Sequence, residues 1–552
     1  MVEPPGPATD YAERGRKPAD FHLLKHNLGM AVALEEFLAP AFGPGGRAKL
    51  YLDSKGQMMP TTDGARMLSM LDSPHPVAKI IAAAAKSQAE EWEDGTKLTA
   101  LLALRLLRRA DSLLEKGLRP PRIVAGYEIG LALATEVAMS DAIEMDPMYP
   151  DLLRGVARAS IGGWLEGRPR ETLAEAVVAT VCQVATRSTN GEWHCDRRDI
   201  HIFAKAGGSF SVEAIDGYVI ERSRDDATMP MRVEDARIAL FDAAPIRGKA
   251  GIHEPRLRWL GDSKILLKSP AELEKYAEVN EQFTADMVEG LRRAGANVVL
   301  CTLGISDYGH KLLAKAGILG IRRIMKTRYM EAVARATGAS LIKDFMEVRS
   351  EQLGHAGLVE ERRIGHSKSL VISQCSNPRV VSLLILGPGV AAAEHYAAQA
   401  RKAIAAVAAV FERPRLVIGG SGAELSASRH VRKKAYEVSG REQLAVEAFA
   451  DALEDLARCL ATNLGLNPVD TLVDLRRRHA ASPSWGLLAG NPEPVDLAHG
   501  ALLEPLTPRL AAWRRAVEAC NTLLQVDDFH KAARRHKDGQ ETRADSEKPT
   551  ER

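Results

Sequence analysis

The sequence predicts a multidomain α+β protein in which a mainly helical domain is interrupted by an α/β insert. Its 552 residues exceed what one hydrophobic core usually serves, so several domains are expected. Residues 21–143 show helical patterning, and residues 215–359 alternate short apolar runs with helical stretches. Ala-rich helical patterning then returns over residues 394–529. Two similar regions around a different one indicate a discontinuous helical domain with others inserted into it.

The first helical region is predicted from its apolar spacing. Leu28, Val32 and Phe37 lie roughly on one face of a helix, and residues 76–117 form a long run rich in alanine and leucine. Only 5% of the residues in the whole chain are aromatic, which indicates helices that pack through alanine, leucine and valine.

The α/β insert is predicted from buried strands and from the glycines that end the helices around them. Residues 297–301 and 339–342 are short apolar runs typical of strands. Gly295, Gly317 and Gly338 stand where the neighbouring helices should stop.

Composition and charge argue against several partners. The formal net charge of +2 is nearly balanced and favours neither nucleic acid nor an anionic membrane. No stretch approaches ~18 uninterrupted apolar residues, and the N-terminus lacks a basic segment followed by an apolar run. We therefore expect a cytoplasmic protein. Residues 1–20 and 531–552 are polar and without apolar anchors, and both are predicted to be flexible tails.

The cysteines predict neither a zinc knuckle nor a disulfide framework. Six are scattered along the chain and none forms a CxxC pair. His194 beside Cys195 could supply half of a metal site, but no second ligand pair is visible, so a structural role is the simpler interpretation.

Four short segments carry candidate chemistry. Residues 42–46 and 419–422 are glycine-rich, and such turns can direct backbone N–H groups toward an anion. Residues 61–64 and 93–96 each place an aspartate and a glycine ahead of a helix. Each turn alone is more often only a turn. Together they supply carboxylates for Mg²⁺ and N–H groups for phosphate, which nucleotide binding requires.

These segments resemble the nucleotide site of the group II chaperonins, the thermosome and eukaryotic cytosolic type. Residues 42–49 are similar to the family's phosphate loop, residues 62–64 and 94–96 to its two Asp-Gly motifs, and residues 419–421 to its triple-glycine turn. The similarity continues in the same order from residue 25 to 528, through segments 292–301, 359–365, 465–472 and 524–528. The resemblance implies that ATP and Mg²⁺ bind at Gly43, Pro44, Gly45, Gly46, Asp63, Gly64, Asp94, Gly95, Thr96, Lys97, Gly419, Gly420, Ser421 and Asp496, with Asp94 on the metal and Asp496 on the nucleoside.

The resemblance also implies a three-domain architecture. The expected parts are an equatorial ATPase domain (21–143 and 403–530), an intermediate domain (144–214 and 364–402) and an apical domain (215–363) with a helical protrusion at 252–276. Such subunits enclose non-native client proteins inside stacked homo- or hetero-oligomeric rings. Trp259 and its apolar neighbours in the protrusion either contact clients or pack locally, and the sequence favours neither.

Four departures from the family pattern concern the mechanism. Counting back from the glycine turn places Lys402 where the family has the aspartate that positions or activates the hydrolytic water. Lys97 stands in place of a threonine, Glu93 in place of a glycine, and Trp164 where many relatives have a lysine. A protonated lysine cannot accept a proton, and loss of a positioned base typically costs about 10²–10⁴ in rate.

Two hypotheses from different classes follow. The chain is either an ATP-hydrolysing foldase, with Asp63 as a possible catalytic residue, or a binding protein. In the second case it is a pseudo-ATPase or holdase that binds ATP and hydrolyses it poorly, and Lys402 is not catalytic.

Overall fold

The computed structural model of the chain describes residues 22–526, except residues 53–55, 57, 72, 163–164, 243–269, 303, 326–328, 344–347, 499 and 501. Several predictions lie outside the described residues. They concern the two tails, most of the protrusion with Trp259, and Trp164.

The N-terminal region is mainly helical, as its apolar spacing predicts. Proline at the first helical position starts α3 and α5, where a missing N–H costs nothing. The Ala/Leu-rich run is divided into two helices by the turn at residues 93–95. The elements are α1 (His22–Leu38), a 3-10 turn (Ala39–Ala41), β1 (Lys49–Leu52), β2 (Met58–Thr61), α2 (Gly64–Ser69), α3 (Pro76–Trp92), α4 (Thr96–Glu115), α5 (Pro120–Ser140) and β3 (Ile143–Glu144).

The middle of the chain is built around a mixed sheet. The described chain has nine strands in it, ordered β10-β9-β8-β12-β13-β7-β14-β6, with β11 beside β8. The elements are α6 (Pro150–Ser160), α7 (Arg168–Val184), β4 (Thr186–Arg187), β5 (Trp193–His194), β6 (Ile200–Ala206), β7 (Ser211–Ile220), β8 (Arg232–Phe241), α8 (Pro270–Ala294), β9 (Val298–Cys301), α9 (Asp307–Lys315), β10 (Leu319–Ile321), α10 (Glu331–Thr337), β11 (Leu341–Ile342), β12 (Gly354–Ile364), β13 (Ser367–Cys375) and β14 (Val381–Gly387).

The predicted strands of the insert are present and so are its helix stops. All four residues of β9 are buried, which explains their continuous apolar run. Gly295, Gly317 and Gly338 directly follow or soon follow α8, α9 and α10, and all three adopt left-handed backbone conformations. Strands β8, β9 and β10 run parallel, with α8 and α9 as their connections.

The C-terminal region returns to helices. Helix α11 leads from the sheet back toward the N-terminal helices. The elements are α11 (Val390–Glu412), β15 (Arg415–Ile418), α12 (Gly422–Ala435), α13 (Glu442–Asn463), α14 (Pro468–His479), β16 (Trp485–Gly486), β17 (Val495–Asp496), β18 (Leu503–Pro505) and α15 (Leu506–Gln525).

One hydrophobic core is shared by both ends of the chain. It joins side chains of α1–α5 with side chains of α12, α13 and α15, for example Leu101, Phe449 and Trp513. Separate cores lie on the sheet and around α6, α7 and α11. The α+β character predicted from the sequence is therefore confirmed, while the domain boundaries stay predictions.

Helix α5 alone among the described helices is long and apolar enough to cross a membrane, by length and composition only. Its contacts are those of a core helix. A side chain at Gly126 would come within 2.4 Å of Ala445 Cβ, and one at Gly130 within 2.7 Å of the Phe449 ring. The glycines therefore let α5 and α13 approach closely.

Candidate functional site

The glycine loop after α1 is fitted tightly against the end of α13. A Cβ at Gly45 would lie 2.3 Å from the Asn463 carbonyl oxygen, and one at Gly46 would lie 2.3 Å from the Ala41 carbonyl oxygen. Gly43 has a positive φ of 76°. Only glycine meets these requirements, so the close packing of the loop depends on its glycines.

Asp63 is held in place by the start of α2. Its Oδ1 accepts a hydrogen bond from the Arg66 backbone N–H at 2.8 Å, as an N-cap residue does. Its Oδ2 accepts from the Thr96 hydroxyl at 3.3 Å, and that hydroxyl accepts from the Gly64 N–H at 3.1 Å. The two Asp-Gly turns are thus joined directly, through Thr96 at the first position of α4.

The second Asp-Gly turn separates α3 from α4. Gly95 has a positive φ of 77°, and its N–H donates to Asp94 Oδ1 at 2.8 Å. The buried Gln88 amide donates to the Asp94 carbonyl oxygen at 3.0 Å. Glu93 also has a positive φ, 57°, which explains why the family pattern has glycine there. Asp94 is therefore held through its side chain by Gly95 and through its carbonyl oxygen by Gln88.

Lys402 reaches the first Asp-Gly turn from α11. Its Nζ lies 3.7 Å from Asp63 Oδ2, and its side chain is only 12% exposed. The sequence resemblance predicts a lysine at the position of the family's hydrolytic aspartate. The structure places it against Asp63.

Lys97 lies between the glycine loop and the Asp-Gly turns. Its Nζ donates to the Ala41 carbonyl oxygen at 2.5 Å, directly before the loop. Burial lowers the pKa of Lys97 to about 8, and the charge of Lys402 lowers it as well. Asp94 and Asp63 act in the opposite direction. Two lysines and two aspartates therefore share one small region.

Glu93 adds a third carboxylate to this region. Burial raises the pKa of Glu93, and the charges of Arg401 and Arg197 oppose that rise. Asp63 and Lys402 are also close enough to influence it, with opposite signs. Glu93 therefore faces α11 as well as the turn of which it is part.

The second glycine turn packs against the hairpin formed by β16 and β17. Gly420 has a positive φ of 59°, and a Cβ there would lie 2.1 Å from the Leu487 carbonyl oxygen. The Leu487 N–H donates to the Gly420 carbonyl oxygen at 2.9 Å. Ser421 has a positive φ of 65° and stands at the N-cap position of α12. A non-glycine residue is therefore accommodated at the third place of the turn.

Asp496 lies on the same hairpin. It pairs with Trp485, next to Gly486, where a Cβ would lie 2.7 Å from the Gly419 carbonyl oxygen. The Asp496 side chain accepts from the Ala498 N–H at 3.0 Å. The structure thus brings the glycine turn and Asp496 together, although they are far apart in sequence.

A buried ionic network beneath the glycine turn was not predicted from the sequence. Glu424 accepts from Arg509 at 2.7 Å and from the Trp513 indole at 3.2 Å. Arg509 also pairs with Glu504, whose Oε1 lies 2.8 Å from where a Cβ at Gly419 would be. An acidic residue in the first turn of α12 was the one local signal. Its partners lie on α15, which no local pattern connects to it.

The two groups of predicted residues meet at the start of α15. Gln88, which holds Asp94, also donates to the Pro508 carbonyl oxygen at 3.2 Å. The next residue, Arg509, supports the second glycine turn. The predicted residues therefore form two clusters on either side of one helix terminus.

Metal ligands are sparse in this region. Across the described ranges, no group of three or more His, Cys, Asp or Glu side chains could hold a metal ion. A divalent cation at Asp94 would then need further ligands from phosphate oxygens or water. At the other candidate, burial raises the pKa of Cys195 to about 12, so the thiol stays protonated, which does not favour metal binding.

A family comparison identifies the chain as a whole. The profile of the TCP-1/cpn60 chaperonin family matches residues 34–534. The chain belongs to that family. Thermosome subunit beta of Saccharolobus solfataricus is 36% identical over 537 residues, covering 96% of this chain and 94% of the relative. The thermosome subunit of Methanocaldococcus jannaschii is 37% identical over 498 residues, covering 90% of each chain.

The thermosome relatives place this chaperonin in group II, as the sequence resemblance predicts. A third relative, the thermosome subunit of Methanopyrus kandleri, is 36% identical and covers 91% of this chain and 90% of its own. The family match supports a role in assisting protein folding. The matched residues, 34–534, include both clusters described above and α11 with Lys402.

Proposed function

We propose that this chaperonin is an ATP-binding subunit of a ring-shaped oligomer that binds unfolded proteins, assists their folding and hydrolyses ATP slowly. The observation that carries the proposal is the Lys402 ammonium, 3.7 Å from the Asp63 carboxylate, where the family pattern has a third aspartate. The resemblance assigns the hydrolytic water to that position.

ATP binding is supported by the two clusters. The resemblance assigns phosphate binding to the glycine loop at residues 43–46 and the turn at residues 419–421, both of which pack as only glycine-rich backbone can, and Asp94 offers a carboxylate for Mg²⁺. Asp496 stands beside the second turn, and the resemblance assigns it to the nucleoside. The cluster around Asp63 and Asp94 also contains Gly64, Gly95, Thr96 and Lys97.

Slow hydrolysis follows from what Lys402 does to the site. An ammonium group donates hydrogen bonds and offers no acceptor for the proton of the attacking water. It also pairs with Asp63, the other carboxylate that the family pattern places there. Loss of a positioned base costs about 10²–10⁴ in rate, whereas the groups that bind the phosphates remain.

A second candidate function is an ATP-hydrolysing foldase, and Glu93 favours it. Its carboxylate lies close enough to Asp63 and Lys402 to interact with both, and burial raises its pKa, as is common for groups that take up protons in catalysis. In this candidate Glu93 supplies the acceptor that position 402 lacks.

Assembly into stacked rings with further subunits is supported by the hairpin of β1 and β2. Leu50, Leu52 and Met58 on it are each about two-thirds exposed, at 64%, 66% and 66%. Apolar side chains clustered on a projecting hairpin are unusual for a monomer and typical of an interface. The proposed partners are other chaperonin subunits and non-native proteins, in the cytoplasm, with no nucleic acid or membrane partner.

One experiment tests the proposal and separates the two candidates. ATP turnover is measured on the purified assembly, with its particle size recorded and a thermosome subunit measured in parallel. We expect turnover at least about 10²-fold below the thermosome subunit and unchanged by Glu93→Gln. Turnover equal to the thermosome subunit, and lost in Glu93→Gln, would favour the second candidate and contradict slow hydrolysis.

A further inference from the structure

Two positively charged side chains converge where a nucleotide's phosphates are expected. Lys97 begins on α4 and reaches the carbonyl before the glycine loop, and Lys402 reaches Asp63 from α11. Both lysines approach the same turn, although they lie far apart in the sequence. A Cβ at Gly64, next to Asp63, would lie 2.7 Å from Lys97 Cγ, and Lys402 pairs with Asp63 itself. The charge of Lys402 is felt at Lys97 as a repulsion.

The carboxylates of Asp63 and Asp94 are partly engaged by other hydrogen-bond donors. Asp63 spends one oxygen on the N-cap of α2 and shares the other between Thr96 and Lys402. Asp94 Oδ1 accepts from the Gly95 N–H within its own turn. A polyanion between the two ammonium groups would relieve the repulsion and supply the charge-assisted hydrogen bonds that buried lysines require.

The family pattern gives the opposite charge balance. With aspartate at 402 and threonine at 97, the same four positions carry three negative charges, and a polyphosphate is repelled unless a divalent cation comes with it. In this chain Lys97 and Lys402 offset two of the three negative charges of Asp63, Asp94 and Glu93.

We propose that Lys97 and Lys402 act as built-in cations that hold the terminal phosphates of ATP, so that nucleotide binding does not depend on Mg²⁺. This inference rests on the proposed function, because it assumes that ATP occupies the site. A metal ion bound through Asp94 adds to affinity but is not required for it. Lys402 thus binds phosphate at the position where the family pattern has a hydrolytic aspartate.

The test is a calorimetric titration of the assembled protein with the non-hydrolysable analogue adenylyl imidodiphosphate, once with excess Mg²⁺ and once with excess EDTA. For the wild-type chain we expect the two dissociation constants to agree within about 10-fold. For Lys402→Asp, which restores the family charge, we expect EDTA to weaken binding by at least about 10²-fold. Lys402→Gln should fall between these results.

Lys434→Asp is the matched control, because it makes the same change in net charge on α12, outside both clusters. Lys434 is partly exposed and pairs with Glu437, at 2.9 Å. The dissociation constant of the Lys434→Asp variant should change with EDTA as that of the wild type does. Particle size and circular dichroism establish that each variant is assembled and folded, and the wild-type comparison needs no variant.

The outcomes separate this inference from the proposed function. Wild-type binding that EDTA weakens by about 10²-fold or more overturns the built-in cations and leaves an ordinary Mg-ATP subunit. Absence of binding under both conditions overturns ATP binding itself. If the Lys402→Asp variant binds the analogue in EDTA as tightly as the wild type does, other residues make binding independent of Mg²⁺. That result also overturns the role of Lys402.

Discussion

The carboxylate of Asp63 caps helix α2 through one oxygen and faces the ammonium of Lys402, at 3.7 Å, through the other. Asp63 belongs to the N-terminal helices and Lys402 to α11, which leads in from the mixed sheet. The contact therefore spans the boundary that the family architecture assigns to the equatorial and intermediate domains. Of the three aspartates in the family pattern, Asp63 and Asp94 remain, and a lysine that pairs with Asp63 replaces the third.

Replacement of Lys402 by aspartate should raise ATP turnover. The change removes the ammonium from Asp63 and restores an acceptor for the proton of the attacking water. We expect an increase of up to about 10²-fold in kcat, smaller if Lys97 and Glu93 also limit the reaction, since such effects are not additive. Steady-state phosphate release under saturating Mg-ATP measures it. A turnover that is already high, and unaltered by Lys402→Asp, would contradict the pseudo-ATPase proposal.

Replacement of Asp94 by alanine should weaken Mg-ATP binding strongly. Its carboxylate is the candidate Mg²⁺ ligand, and a hard cation prefers carboxylate oxygen. The same change should matter much less for metal-free nucleotide, because Lys97 and Lys402 remain. Titration of Asp94→Ala with and without Mg²⁺ checks both statements. Mg-ATP affinity equal to that of the wild type would remove Asp94 from the site.

The local parts of this site could be predicted from the sequence because each depends on a few adjacent residues. Asp63 and Gly64 predict a turn that presents a carboxylate ahead of a helix, and α2 begins at Gly64. Asp94 and Gly95 ahead of an apolar run predict the start of a helix, and α4 begins at Thr96. The glycines after α8 and α10 predicted the helix ends for the same reason.

The supporting contacts could not be predicted, because they join residues that are 85 to 420 positions apart. Gln88 links Asp94 to Pro508, and Glu424 meets Arg509 and Trp513 on another helix. Composition and periodicity say nothing about which distant helices will meet. The resemblance supplied the order of the motifs, and only the folded chain places Lys402 on Asp63 rather than on Asp94.

The β1–β2 hairpin should be required for assembly. Leu52 and Met58 are cross-strand partners on it, and both are two-thirds exposed in the isolated chain. Leu52→Asp would place a charge in the proposed interface, where burying it without a partner is costly. We expect rings by electron microscopy for the wild type and smaller particles for the variant. Wild-type protein that is monomeric at micromolar concentration, with and without nucleotide, would contradict the ring proposal.

Replacement of Gly420 by alanine should damage the nucleotide site more than an ordinary glycine substitution does. Alanine at a positive φ costs about 1–2 kcal/mol. A Cβ at Gly420 would also lie 2.1 Å from the Leu487 carbonyl oxygen, so the turn must shift. Gly490→Ala is the control, since it has a φ of 84° but open space around it. Nucleotide affinity should fall in the first variant only, and equal losses would show that the close contact is unimportant.

Nucleotide affinity should also fall as the pH rises past about 8, because burial lowers the pKa of Lys97 to that value. Lys402 lowers this pKa too, whereas Asp94, Asp63 and Cys459 raise it. The protonated lysine attracts phosphate and the neutral one does not, so the free protein loses this attraction on deprotonation. ATP itself stays fully ionised above about pH 7.5, since phosphate loses its second proton near pH 6.

Titrations of wild-type protein with adenylyl imidodiphosphate in EDTA, between about pH 7 and 9.5, measure the effect. The affinity should be nearly constant below the pKa of Lys97 and then decrease by up to 10-fold for each pH unit, about 1.4 kcal/mol. Lys97→Arg keeps its charge throughout this range and should remove the decrease, while Lys97→Thr should bind weakly at every pH. A wild-type profile that stays flat to about pH 9.5, or an identical decrease in Lys97→Arg, would show that the titrating group is not Lys97.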